Sequence, residues 1–402
     1  MQAATSDHPL ALDAWGAHWL EEIDRLTGEK KKAFVAASFK RAIEAIQKGM
    51  REKWETADAP ETAWVARAQL LMARAHGFEN WDVFTDLIAP APGQSEEALA
   101  FESAVDAVVE GDLKVLQSLV GQFPALVETR STRTHQAALL HYIAANGVED
   151  FRQRTPGNAV EMAGYLLASG AEVDALANTY GGGKTQTPMN LLVSSAHPSA
   201  AGLMAPLVEV LLHFGAAIHG LENNGSPLRT ALASGYLDGA EALVRGGARI
   251  DTLVAVASLG RLNLVDSFFS RADGVEQGRA LVDASRFGQT EMVANLLDRG
   301  VAAGSVNRDD MSALHWAAAH CHGEIVRLLL NRRASLETKN KWGGTVLGFT
   351  VFSACTHPDA DRDYVAMIET LLAAGARVVA AKYPTGLDRV DAVLRRYRES
   401  AP

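Results

Sequence analysis

The feature that most restricts the fold of this chain is a unit that recurs in register. Its clearest copy, residues 312–337, reads SALHWAAAHCHGEIVRLLLNRRASLE. The spacing predicts a short helix, a tight turn, a second helix carrying Ile325-Val326 and Leu328-Leu329-Leu330, and another turn. The position held by His315 can be followed through Val105, His141, Asn190, Arg229, Val254, Val282 and Gly348, in steps of 36, 49, 39, 25, 28, 33 and 33 residues. Six places after each stands a small residue or Cys: Gly111, Gly147, Ala196, Gly235, Gly260, Gly288, Cys321 and Ala354. Leucine pairs end the second helices, and Gly-Ala follows several of them, as at Gly170-Ala171, Gly215-Ala216, Gly247-Ala248 and Gly375-Ala376. One helix pair cannot bury its apolar face alone, whereas a stack buries a continuous core. Eight registered units over about residues 100–382 therefore predict an all-α solenoid.

The 312–337 unit resembles the ankyrin repeat, whose consensus opens T-P-L-H-x-A and continues G-H-x-E-I-V-x-L-L-L-x-x-G-A. Near the start, AQLLMARAHGFENWDVF resembles an A-R-x-x-G-F-x-x-W element that precedes the array in some bacterial ankyrin-repeat proteins. The resemblance implies that His141 and His315 are structural, bonding backbone near the turns. It also implies that residues one, four and five places after each landmark face a concave groove. The expected organisation is a small helical capping domain with its linker over residues 1–92 and an array over 93–386. An amphipathic closing helix over 387–402 completes it, polar outward, as terminal repeats require.

Two departures from the period carry structural expectations. The steps of 25 and 28 around Val254 and Val282 leave no room for a β-finger between repeats. Conversely, VEDFRQRTPGN (148–158), HPSAAGLMAP (197–206) and CTHPDADRDY (355–364) are inserts between first and second helices, and inserts in solenoids are expected as loops.

Several function classes are disfavoured. A formal net charge of −10 repels phosphate backbones, and the basic run Lys30-Lys31-Lys32 is flanked by acids, so no nucleic-acid partner is expected. No stretch reaches the roughly 18 apolar residues of a membrane span. The first residues lack the charged and apolar regions of a signal peptide, and two cysteines make no disulfide framework, so a cytoplasmic location is expected. TYGGGKTQT (179–187) imitates a phosphate-binding loop, but Asn178 stands where a glycine is required and a β-finger is expected there. His315, His320 and His322 beside Cys321 lack the one-face spacing of a zinc motif. No metal or cofactor is expected.

What remains is the groove. Its candidate ligand-binding residues are Tyr142, Asn146, Ser194, Arg286, Trp316, His320 and Phe349. Arg152 and Arg154 of the first insert, Tyr180 of the finger and His197 of the second insert join them. Two arginines among Glu149 and Asp150 either clamp an anion or pair locally and pin the insert. Large aromatics on a predicted exposed face mark a binding surface. The expected function is a non-catalytic module recognising a protein segment or small ligand in the groove and inserts. The alternative is an enzyme on this scaffold, with Asp283 and His320 in acid–base roles on a small organic substrate. A plain structural spacer predicts a charged groove without aromatics, which this list contradicts.

Overall fold

The computed structural model describes residues 95–149, 152–179, 184–356, 362–378 and 385–399, together with Asp82. The capping domain expected over 1–92 (apart from Asp82), Tyr180 and residues 357–361 of the third insert lie outside the described residues. Two compact units appear, one ending at Asp251 and the other starting at Thr252.

The first unit holds four helix pairs. They are α1 (Glu96–Glu110) with α2 (Leu113–Gln122), α3 (Leu139–Ala144) with α4 (Ala159–Ala168), α5 (Pro188–Leu192) with α7 (Met204–His213), and α8 (Ser226–Ser234) with α9 (Leu237–Arg245). The short helix α6 (Ala196–Ala200) stands between α5 and α7. The second unit holds α10 (Leu253–Ser258) with α11 (Val265–Phe269), α12 (Gly274–Arg286) with α13 (Thr290–Asp298), α14 (Ala313–Ala319) with α15 (Gly323–Asn331), and α16 (Val346–Thr356) with α17 (Tyr364–Ala373). The closing helix α18 (Asp388–Glu399) packs on α17. Inner helices α10, α12, α14 and α16 pack in sequence order.

Local chemistry fixes these boundaries. Ser95, Asp112, Thr187, Thr252, Asp273, Ser312 and Asp363 each accept a backbone N–H of the helix they precede. Second helices end alike: the N–H of Ala171, Ala216, Ala248, Val301, Ala334 and Ala376 donates to the carbonyl of the leucine five residues earlier, at 2.9–3.1 Å. That closure needs a left-handed residue just before it. Gly170, Gly215, Gly247, Gly300 and Gly375 supply it, and Arg333 does so at φ +60° despite its side chain. The turns between paired helices use the same conformation at Gly111, Gly147, Gly235, Gly260, Gly288 and Cys321. The bonded leucines Leu166, Leu211, Leu243, Leu296, Leu329 and Leu371 are all buried and form the spine of the core.

The phosphate-loop mimic is a β-finger. Strand β1 (Ala177–Thr179) pairs antiparallel with β2 (Lys184–Gln186), so Lys184 stands in a strand and not at a helix start. The short step at Val282 has no finger before it; instead Glu276 of α12 accepts the Leu253 N–H at 2.8 Å and ties two inner helices directly. One expectation is corrected. The second insert is not a loop, because residues 196–200 close a helical turn that runs through Leu203 into α7. Pro198 is buried within that turn.

Candidate functional site

Both landmark histidines are fully buried. His141 Nδ1 accepts the Ala138 N–H at 3.1 Å, and its Nε2 faces the Gln186 carbonyl at 3.3 Å. His315 Nδ1 accepts from Ser312 N and Oγ at 3.2 and 2.8 Å, with Nε2 3.2 Å from the Gly344 carbonyl. Because Nδ1 accepts, the proton belongs on Nε2, where it donates to a carbonyl of the following finger or turn. Burial drives both away from the charged form, His141 down to about 4. They clip one repeat to the next as neutral rings.

In the first unit the structure gathers the first insert around Glu149, whose side chain is wholly buried. Its carboxylate accepts from Arg133 at 2.8 Å, His135 at 3.0 Å, the Tyr142 hydroxyl at 3.0 Å, and Arg152. Burial pushes its pKa up, but the His135 hydrogen bond and both guanidinium charges outweigh that and hold it below the usual range. Arg152 also bonds Glu102 at 2.6 Å and Asp106 at 2.9 Å, so its donors are directed to three carboxylates and it pins the insert to α1. Arg154 is exposed, 3.8 Å from Glu110. Tyr142 is corrected as a groove residue: it is 5% exposed, and burial and the Glu149 charge push its phenol upward. Asn146 donates to Leu191 O and Ser194 Oγ at 3.1 and 2.7 Å, joining α3 to α5. His197 is exposed in the first turn of α6. The two candidate arginines thus do not converge on an open anion site. Sequence reasoning missed Glu102, Arg133 and His135 because their partners are distant in sequence: Glu149 lies 16 and 14 residues from Arg133 and His135, and Glu102 pairs with Arg133 and Arg152, 31 and 50 residues on.

The second unit does bring its candidates together. Trp316 and Phe349 hold the same register on α14 and α16, and their rings meet edge-on with centroids 5.7 Å apart. Phe352 stacks on Phe349 at 6.3 Å and is 49% exposed. The Arg286 guanidinium lies 4.6 Å from the Trp316 ring centre, and His320 tilts against the same indole at 5.7 Å. Asp283 shares the register of Trp316 one helix earlier, and burial lifts its carboxyl to about 6 against the opposing charges of Arg286 and Arg279. The result is a half-buried strip across α12, α14 and α16, with rings, a guanidinium and a carboxyl on one side.

The turn preceding α16 adds a residue that sequence reasoning passed over. Asn307 Oδ1 accepts the N–H groups of Asp309 and Met311, and Asn340 Oδ1 those of Trp342 and Gly344. Neighbouring turns are joined by Lys341 N to Asp309 O at 3.0 Å and by the Lys341–Asp309 ion pair. Trp342 is held at the tip, 68% exposed, with Lys341 Nζ 4.5 Å from its ring centre. The 33-residue recurrence of Asn was the available signal.

Comparison with known proteins follows the same geometry. A family model described as ankyrin repeats, in three copies, matches residues 253–340 and again 281–380. The ankyrin repeat and KH domain-containing protein mask-1 of Caenorhabditis elegans is 27% identical over 192 residues, 46% of this chain and 7% of that protein. Serine/threonine-protein kinase 12 of Arabidopsis thaliana is 31% identical over 87 residues, 22% of this chain and 19% of that protein. The chain therefore spans under a fifth of either relative. No helix among the described residues is long and apolar enough to cross a membrane. Paired helices closed by left-handed turns and the matched family model agree that residues 253–380 of this chain are ankyrin repeats.

Proposed function

We propose that this protein is a non-catalytic binding module that holds a segment of a protein partner on the strip formed by α12, α14 and α16. One observation carries the reading. Trp316, Phe349 and Phe352 form a continuous aromatic strip on two packed inner helices, α14 and α16, and its outer end is half exposed. An aromatic surface of this kind is a favourable anchor once water is displaced, and aromatic residues and Arg dominate interface energetics. Candidates in the first unit contribute by holding repeats together, as Asn146, Ser194 and Arg152 do.

The test uses the full chain, immobilised and exposed to degenerate peptide libraries. Retention by wild type, with about tenfold less retained by Phe352→Ala, supports the reading. Phe352→Ala costs under ~1 kcal/mol in stability, as a half-exposed side chain should. Equal retention by the variant overturns the assignment of the strip. A second reading has one observation behind it: Asp283 titrates near 6, where a general acid or base is effective. It requires turnover of some small substrate that stops in Asp283→Asn while binding persists, with one limb of the pH–rate profile lost.

A further inference from the structure

Asp283 is an outlier among the desolvated carboxylates of the described residues. Glu149 receives four donors, Asp391 receives the Thr385 N–H and hydroxyl and the Gly386 N–H, and Asp174 receives the Ala217 N–H on Oδ2 while its Oδ1 has no partner. Among the described residues, no hydrogen bond or ion pair reaches the Asp283 carboxylate, although it is only partly exposed and strongly desolvated. Arg286, three residues on along the same helix, is placed where an ion pair is ordinarily made. Its guanidinium makes no hydrogen bond to Asp283, and it lies 5.5 and 4.6 Å from the ring centres of Phe287 and Trp316. A desolvated carboxylate left with its lone pairs open is costly to the fold and gains most when a donor arrives from outside. Such a group persists where binding supplies what folding did not.

Its surroundings define the donor. Asp283, Trp316 and Phe349 occupy one register on three successive inner helices, so the carboxylate continues the line of the rings. A carboxylate beside aromatic rings suits a cation that offers N–H donors to the acid and positive charge to the ring quadrupoles. Trp316 already displays that preference by taking a guanidinium at 4.6 Å.

We propose that Asp283 is a specificity-determining residue of the groove, pairing with a lysine or arginine side chain of the bound protein segment while Trp316 and Phe349 line its stem. This rests on the groove reading above, and it names the side chain that the groove selects.

The experiment uses immobilised full-length protein and four degenerate peptide libraries that differ at one fixed position, occupied by Arg, Lys, Gln or Glu. Wild type is expected to retain the Arg and Lys libraries about tenfold over Gln and still further over Glu. Asp283→Asn is expected to bring Arg, Lys and Gln to parity, and to unfold at a higher temperature than wild type because it removes a desolvated charge. Lost selectivity combined with gained stability excludes misfolding as the cause. A preference for Glu, or a cation preference unchanged in Asp283→Asn, overturns the inference. Retention that depends on Phe352 but is indifferent to the fixed residue overturns it while leaving the groove reading intact. Retention of no library by wild type overturns both.

Discussion

At the scale of single residues, two titrating groups pull stability in opposite directions. His141 has a folded pKa near 4, below its ordinary 6.5, so between those values the unfolded chain binds the extra proton. The stability it contributes is complete above about pH 6.5 and declines toward pH 4, by a total on the order of 3 kcal/mol. Urea unfolding of wild type should therefore weaken over that window, and His141→Gln, weaker at pH 7, should vary less across it. Asp283 behaves in reverse. Its folded pKa near 6 lies above 3.8, so the folded state holds the proton longer and the penalty is full above pH 6. Asp283→Asn should stabilise at pH 7–8 by about 1–2 kcal/mol, allowing for partial exposure, and the gain should vanish below pH 4. Arg333 is a purely conformational case. A non-glycine residue at φ +60° costs roughly 1–2 kcal/mol, partly offset by the greater unfolded-state freedom of glycine. Arg333→Gly should raise stability by about 0.5–1 kcal/mol.

At the scale of elements, legibility followed the range of the interaction responsible. Helix pairs were readable because caps, left-handed glycines and leucine ends are set within five residues, as the six recurring leucine closures illustrate. The absence of a finger before α12 was readable from step length alone. The first insert was not. Its conformation is decided by Glu149, and Glu149 is satisfied by Arg133 and His135 upstream and by Arg152, itself held by Glu102 of α1. Nothing local signals which of several charges will be buried together. The same long range misplaced Tyr142, whose groove position by register is overridden by a hydroxyl bond into that cluster. In the second unit register alone placed Trp316 and Phe349 side by side. The cluster makes its own prediction. Glu149→Ala leaves two buried guanidinium groups without their shared acceptor, and should cost about 3–5 kcal/mol. Limited proteolysis within residues 148–158, faster than in wild type, is the direct readout.

At the scale of the molecule, charge and the end of the array matter most. Residues 252–402 carry a net charge of +1 and residues 1–251 one of −11. Long-range attraction and local selection should separate kinetically: salt should slow association of a cationic segment, whereas Asp283→Asn should mainly quicken its dissociation. The closing helix governs stability in the second unit. Val390, Val393 and Leu394 of α18 are buried, and α18 packs on α17, whose Met367, Ile368, Leu371 and Leu372 are buried in turn. Asp391 grips the preceding turn through Thr385 and Gly386, fixing where the helix starts. In a solenoid each element is stabilised chiefly by its nearest neighbours, so losing the outermost one propagates inward with diminishing force. Deletion from Leu387 should therefore remove amide protection first from α17, then from α16, and least from α10. Hydrogen exchange across the second unit measures that gradient. Uniform loss of protection from α10 to α17 would instead mean that the unit unfolds as a single cooperative block, and the nearest-neighbour account of its stability would fail.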